Sequence, residues 1–344
     1  MHDNNINTLR FIGAFLVLFG HSFELCYGPG GGVDPISALL MGVTAYHAKL
    51  PGIGVALFFV LSGYLVTRSF EHRHSLLAYV EARVLRIFPA LWVTLLLTVL
   101  VLGPLVTTLD MAAYFTHQGT WKYLLHNAKL FPDIAFNLPG VFVENPWSGG
   151  VNGSLWTLPV EVRMYILVAL FGVLGFLQRS DVFNLAALLV IAWYLLAPDH
   201  FVLLHNIKDM RLGVYFLLGA LLYMNREKIV YHWAGVLGLG VLLYFCHRTV
   251  AYNLVFATWF AYVVLYISFH RRIRLPDLGK HGDFSYGLYL YAFPMTQLNI
   301  LLLGPGNPWL VAAATLVSSL ALAVGSWFIV EKPFMRLKGL YRNA

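Results

Sequence analysis

The stretch TLRFIGAFLVLFGHS, residues 8–22, decides the fold class because it has the composition of a membrane-spanning helix. It holds Arg10 near one end and His21 near the other. Ionisable side chains are costly in hydrocarbon, so inside a span they are candidates for function. Eleven residues of α-helix bring the two side chains onto one face, about 16 Å apart along the axis. The alternatives are that Arg10 snorkels to lipid headgroups and that His21 makes a helix-packing hydrogen bond.

The composition extends this interpretation to the whole chain. Of 344 residues, 59% are hydrophobic and only 11% are charged, whereas about a quarter of a soluble protein is charged. Repeated apolar runs, most of them near the roughly 20 residues that cross a bilayer, predict an all-α integral membrane protein forming one domain, residues 1–344. About ten transmembrane helices are predicted, at 8–25, 53–69, 87–106, 155–177, 183–197, 211–224, 229–246, 252–269, 284–302 and 309–330.

Other classes of segment are disfavoured. His21 and Glu24 interrupt the first apolar run and no small-x-small site follows it, so we expect a retained span rather than a cleaved signal peptide. Two cysteines, Cys26 and Cys246, define neither a disulfide framework nor a zinc site, and no metal site is predicted. No basic face on a soluble domain indicates nucleic-acid binding.

The connections between spans give the orientation. With the N-terminus inside, 15 of the 23 lysines and arginines fall on the cytoplasmic side and 6 on the other, while Arg10 and Arg163 lie within spans. The positive-inside rule therefore predicts that both termini are cytoplasmic. The long connection near 107–154 is then extracytoplasmic, and a loop of that length is typical of a lid or binding element.

An arginine followed by ten residues and a histidine in the first span resembles the acyltransferase-3 family of membrane-bound acyltransferases. The resemblance continues in five more segments, in the family's order, over nearly the whole chain. These segments are GIGVALFFVLSGYLVTRSF (52–70), ARVLRIFPALW (82–92), NGSLWTLPVEVRMY (152–165), FSYGLYLYAFPMTQ (284–297) and IVEKPF (329–334). One departure is that many members carry a Trp-His pair where this chain has Tyr291 and Ala292.

The resemblance implies a membrane-bound O-acyltransferase. Such an enzyme transfers an acyl group, usually acetyl, from cytoplasmic acyl-CoA to a hydroxyl of an exopolysaccharide, an O-antigen or another surface or lipid-linked glycan. Acetyl-CoA is then a co-substrate rather than a permanently bound cofactor. The expected partners are acyl-CoA, the glycan acceptor and the lipid bilayer, and the expected location is the bacterial inner membrane.

The residues support this chemistry independently. An alcohol attacks a thioester slowly unless a base removes its proton, and histidine is the usual base near neutral pH, so His21 is the predicted general base. Arg10 stays charged and is predicted to bind the donor or to stabilise the oxyanion. Glu161 and Tyr165 are i and i+4 and share a helix face. Glu161 is predicted either to orient His21 or to pair with an arginine.

Coenzyme A carries several phosphate charges that need a cationic mouth. Arg83 and Arg86 are i and i+3 on one helix face, and guanidinium groups suit phosphate oxygens. We predict that both bind the donor, with Arg68 as a weaker candidate, although a basic flank of a span is the plain alternative.

The sugar acceptor is expected to bind at the extracytoplasmic end of the bundle, opposite the cationic entrance for the donor. The predicted acceptor-binding residues are Asn152, Ser154, Trp156 and Tyr165, because aromatic and amide groups suit sugars. Trp156 is equally suited to be an interfacial anchor. Secondary candidates are Glu331, from the family motif, and Tyr286, which is expected to line the channel.

Two other functions fit the same residues. A transporter or flippase could use buried arginine, histidine and glutamate as a proton relay, but no pair of glycine- or proline-broken spans occupies matching positions in two halves. An inactive relative would retain Arg10, His21 and Glu161 in lipid without compensation. An assay with labelled acetyl-CoA separates these classes, because a transporter leaves its substrate unmodified.

Overall fold

A computed structural model describes residues 4–44, 48–73, 75–130, 133–196, 207–249 and 251–338. The described residues fold into helices, joined by loops that contain two isolated β-bridges. The main helices are α1 (Ile6–Tyr27), α2 (Pro35–Val43), α3 (Leu50–Arg73), α4 (Leu76–Val106), α5 (Met111–Thr116), α6 (Gln118–Lys129), α7 (Gly153–Val173), α8 (Ser180–Leu196), α9 (Ile207–Met224), α10 (Trp233–Phe245), α11 (Tyr252–Phe269), α12 (Ser285–Leu303) and α13 (Pro308–Arg336).

The all-α prediction is confirmed, and each of the ten predicted spans overlaps one of these helices. Within the described ranges, six helices are long and apolar enough to cross a membrane, namely α1, α3, α4, α7, α11 and α13. The apolar helices α8, α9 and α10 are shorter. Helix α12 has 19 residues but carries polar side chains, including Gln297 and Asn299, that are buried inside the bundle.

Small residues hold the central helices together. A Cβ added at Gly54 of α3 would overlap the carbonyl oxygen of Gly13 of α1, and one added at Gly63 would overlap that of Phe216 of α9. Lipid tails are as apolar as the side chains, so close backbone approach at small residues is what holds membrane helices in contact. Helix α3 is therefore fixed between α1 and α9.

The start of α1 is tied to the segment that precedes α12. The Asn5 side chain donates to the carbonyls of Ile267 and Ile273, both at 2.7 Å, and Thr8 donates to the carbonyl of Pro276 at 2.6 Å. These bonds fix the position of Arg10, one turn further along α1. Arg86 bonds both to Asp283, at the end of that same segment, and to Glu331 near the end of α13. The first and last described segments therefore lie at the same end of the bundle, which we call the terminal end.

The long connection covers the opposite end of the bundle. After α5 and α6, its chain runs over α12, where the Asn145 side chain donates to both oxygens of Gln297 at 2.9 Å. The Gln297 amide donates in turn to the carbonyls of Trp147 and Gly150, at 2.8 and 2.6 Å. The connection is therefore an ordered part of the fold that closes the end where α1 finishes.

Candidate active site

A cavity of about 300 Å³ opens inside the bundle near the terminal end. Its wall is formed by α1, α3, α4, α7, α12 and α13, together with Asp283 before α12 and Lys338 after α13. Apolar side chains such as Phe58 and Leu65 alternate with charged ones. Six charged side chains line it: Arg10, Arg83, Arg86, Glu161, Asp283 and Lys338. Four of the six are cationic, so the cavity suits an anionic ligand with an apolar part.

Asp283 connects two of these arginines. Its Oδ2 accepts from Arg10 Nη1 and from Arg86 Nη2, the latter at 2.6 Å, and its Oδ1 accepts from Ser285 Oγ at 2.5 Å. Burial alone would raise the pKa of Asp283, but the Arg10 and Arg86 guanidinium groups hold it well below its usual range. Arg86 also lies 3.5 Å from Glu331 Oε2. The charges of Arg10 and Arg86 are therefore largely compensated within the protein.

Sequence reasoning missed Asp283. It stands one residue before the quoted motif FSYGLYLYAFPMTQ and is 273 residues from Arg10. The sequence did contain a signal for it. A buried arginine such as Arg10 needs a counterion, and Asp283 is one of the few carboxylates at the ends of the predicted spans.

Arg83 and Lys338 are the cations of the cavity that have no carboxylate partner among the described residues. Arg83 Nε is buried without a hydrogen-bond partner, and its guanidinium carbon lies 5.5 Å from the centre of the Tyr165 ring. Burial and the neighbouring charges of Arg83, Arg86 and Arg73 lower the pKa of Lys338 to about 8. Positive charge is therefore in excess on this side of the cavity.

The carboxylate of Glu161 lies deeper in the cavity, among hydroxyl groups. The Tyr165 hydroxyl donates to Glu161 Oε1, and Ser62 Oγ lies 3.2 Å from the same oxygen. The predicted shared face of Glu161 and Tyr165 is thus present. In the part of the chain that the structure describes, His21 pairs with another carboxylate, and Arg10 and Arg86 pair with Asp283, so none of these three side chains is the partner of Glu161.

His21 lies at the other end of α1 and does not line the cavity. Its Nδ1 is 3.3 Å from Glu24 Oε2, and Glu24 Oε1 accepts from Lys49 Nζ at 2.9 Å. The Phe293 ring of α12 meets the imidazole edge-on, with 5.4 Å between ring centres. The expectation that Glu161 orients His21 is therefore wrong in this structure, because Glu24, three residues along the same helix, takes that place.

The cavity ends toward His21 at a pair of hydroxyl groups. Thr157 Oγ1 and Tyr289 OH are 2.7 Å apart, and Tyr289 OH also lies 2.8 Å from the carbonyl of Ser154. Tyr289 packs edge-on against Phe58 of α3. These side chains separate the cationic cavity from the end of the bundle that holds His21.

The predicted acceptor-binding residues are only partly where the sequence places them. Asn152 and Ser154 are buried instead of lying at an open mouth. The Asn152 amide donates to the carbonyl of Leu290 at 2.9 Å and its oxygen accepts from the Ser154 amide, so the side chain caps the start of α7 and binds α12. Trp156 is half-buried against the core, and Tyr165 lines the cavity.

Of the remaining predicted site residues, one lines the cavity and two do not. Tyr286 lines the cavity, and its hydroxyl donates to the carbonyl of Ile87 at 2.9 Å. Glu331 is buried beside Arg86 and accepts from Ser326 Oγ at 3.1 Å, outside the cavity wall. Arg68 is exposed and also stands outside the wall, so the structure does not bring it to the other arginines.

Residues 3–328 match the family model of the acyltransferase domain that defines the acyltransferase-3 family. The chain belongs to this family, and the resemblance seen in the sequence is confirmed. The bundle with its apolar helices makes it a multi-pass membrane member of that class.

Three relatives are similar to this chain over most of their own length. The chain is 28% identical to nodulation protein 10 of Rhizobium leguminosarum bv. viciae, over 98% of this chain and 94% of the relative. It is 27% identical to an O-acetyl transferase of Shigella phage Sf6, over 97% of each. It is 26% identical to the exopolysaccharide production protein ExoZ of Rhizobium meliloti (strain 1021), over 85% of this chain and 92% of the relative. No solved structure matches the chain.

The family and its named O-acetyltransferases confirm the prediction that the chain is an acyltransferase enzyme.

Proposed function

We propose that the protein transfers an acetyl group from acetyl-CoA to a hydroxyl of a cell-surface or lipid-linked glycan. The observation that carries this proposal is the cationic cavity, in which Asp283 holds Arg10 and Arg86, whereas no described carboxylate forms an ion pair with Arg83 or Lys338. The glycan acceptor is supported by the names of the relatives, an O-acetyl transferase and an exopolysaccharide production protein.

The donor enters from the terminal end in this proposal. Its phosphates bind Arg83 and Lys338, because guanidinium and ammonium groups supply charge-assisted hydrogen bonds to phosphate oxygens. Its pantetheine arm occupies the apolar part of the cavity and points along α1. The Thr157 and Tyr289 hydroxyl groups stand between this cavity and His21, so they must move apart for the thioester to reach that end of the helix. Arg10 lies along this path, fixed by Asp283.

The chemistry is one acyl transfer. His21 takes the proton of the acceptor hydroxyl while its oxygen attacks the thioester carbonyl. The new C–O bond forms, the C–S bond breaks, and the CoA sulfur leaves with the proton that His21 has accepted. The products are an acetylated glycan and free CoA.

The topology follows from the same proposal. Acetyl-CoA is cytoplasmic, so the terminal end with both termini faces the cytoplasm, in agreement with the distribution of basic residues. All ten helical segments cross a bacterial inner membrane, and the connection near 107–154 lies on the acceptor side.

The test is donor affinity in membranes that contain the protein. Arg83→Gln is expected to raise the KM for acetyl-CoA at least about tenfold, because a charge-assisted hydrogen bond contributes about 1.5–3 kcal/mol. Arg179→Gln, at an arginine with 70% of its side chain exposed, is the matched control and leaves the KM unchanged. An unchanged KM in Arg83→Gln would contradict the proposed donor site.

A further inference from the structure

His21, Glu24 and Lys49 form a connected group that the cationic cavity does not include. His21 and Glu24 are i and i+3 near the end of α1, and Lys49 directly precedes α3. The side chains of His21 and Glu24 are 22% and 17% exposed. A carboxylate so largely withdrawn from water needs partners, and both of its oxygens are engaged here.

We infer that Glu24 is the positioning residue of the base His21. The inference rests on the proposed function, because it matters only if His21 takes the acceptor proton. Glu24 Oε2 faces the imidazole Nδ1 at 3.3 Å, so Nδ1 carries its hydrogen and Nε2 presents a lone pair. A carboxylate at Nδ1 fixes the tautomer and orientation of a base and stabilises the imidazolium when it forms.

The neighbouring side chains hold this geometry from two sides. Lys49 Nζ binds the other oxygen of Glu24 at 2.9 Å, which prevents the carboxylate from turning away from the imidazole. Phe293 of α12 packs edge-on against the ring. Gly20 packs directly on Pro51 at the start of α3, which brings the Lys49 backbone close to α1. Among the described residues, the charged groups paired in this cluster are Glu24 on the same helix as His21 and Lys49 just before α3, while α12 contributes an uncharged aromatic ring.

The proton balance of the step assigns a role to each atom. His21 Nε2 accepts the proton of the acceptor hydroxyl, and Nδ1–H continues to face Glu24. The imidazolium and the carboxylate then form an ion pair, with Lys49 balancing the charge of the carboxylate. When the C–S bond breaks, Nε2 returns the proton to the leaving sulfur, and the group is restored.

The experiment is the pH profile of acetyl transfer in three variants at matched abundance in membranes. Glu24→Gln keeps the size of the side chain and removes the charge. We expect kcat to fall about 10²-fold, the KM for acetyl-CoA to stay unchanged, and the acid limb of the profile to move about one pH unit lower. Lys49→Met keeps the carboxylate and removes the opposing charge, so its acid limb moves higher. Glu227→Gln, at an exposed carboxylate between α9 and α10, leaves rate and profile unchanged.

His21→Ala separates the inference from the function beneath it. An inactive His21→Ala together with a Glu24→Gln variant of normal rate and unchanged acid limb overturns the role of Glu24 and leaves the proposed function standing. Full activity in His21→Ala contradicts the proposed base itself. If Glu24→Gln does not accumulate, an acid limb in Lys49→Met that stays where wild type has it overturns the inference instead.

Discussion

Replacing Asp283 by asparagine removes the charge that holds two arginines in the cavity. Asp283 Oδ2 accepts from Arg10 and Arg86, and the three side chains are only 15%, 21% and 14% exposed. Removing one partner of a buried ion pair costs about 3–5 kcal/mol, because an uncompensated charge is left behind. Since Glu331 still balances part of the charge of Arg86, we expect a loss near the lower limit, about 3 kcal/mol of unfolding free energy.

The assay is thermal unfolding of the purified protein in detergent micelles. Asp283→Asn is expected to unfold at a clearly lower midpoint temperature than wild type. Added CoA should raise the midpoint of the variant more than the midpoint of wild type, because the phosphates of CoA replace the missing negative charge. Asp181→Asn is the matched control, since Asp181 pairs with Arg179 in a contact that is about 70% exposed on both sides. Exposed pairs add little to stability. An Asp283→Asn midpoint no lower than that of Asp181→Asn would refute the structural role of this carboxylate.

Two further predictions concern Lys338 at the proposed donor site and Gly63 at the contact between α3 and α9. Because the pKa of Lys338 is lowered to about 8, its charge is lost as the pH rises through that value, so the KM for acetyl-CoA should increase above pH 8. Lys338→Arg, which stays charged, should flatten this increase in a KM-versus-pH series. Gly63→Ala should sharply lower the abundance of folded protein, because the new Cβ overlaps the Phe216 carbonyl, whereas Gly238→Ala meets no neighbouring atom and should leave it unchanged in a quantitative immunoblot.

The helical layout was predictable because most spans are continuous apolar runs. Helix α12 shows the limit of this reasoning, since by composition it is the least typical of the long helices. Its polar side chains are buried where other elements satisfy them: Gln297 binds the long connection, and Asn299 donates to Thr315 at 3.2 Å. The apolar content of a segment reports on contact with lipid, not on burial within protein, so such a helix depends on its neighbours.

The sequence predicted which site residues lie together on one helix, but not which residues of different helices meet. Helical spacing correctly placed Glu161 with Tyr165 on one face. It could not show that Arg10 meets Asp283, because a single sequence does not reveal which helices are neighbours. Glu24 was within reach of the same reasoning, since i and i+3 residues are adjacent on a helix. Glu161, which sequence alone offered as the partner of His21, is instead bonded to Tyr165 and Ser62.

The most direct test of the proposed function compares wild type with His21→Ala in transfer of labelled acetyl groups from acetyl-CoA to the surface glycan of the host. The two proteins are measured in membranes at matched abundance, with donor binding recorded in parallel. We predict that His21→Ala binds acetyl-CoA normally and transfers less than about 1% of the wild-type label, since a general base contributes about 10²–10⁴-fold. Transfer at the wild-type rate would make His21 a packing residue and would contradict the mechanism.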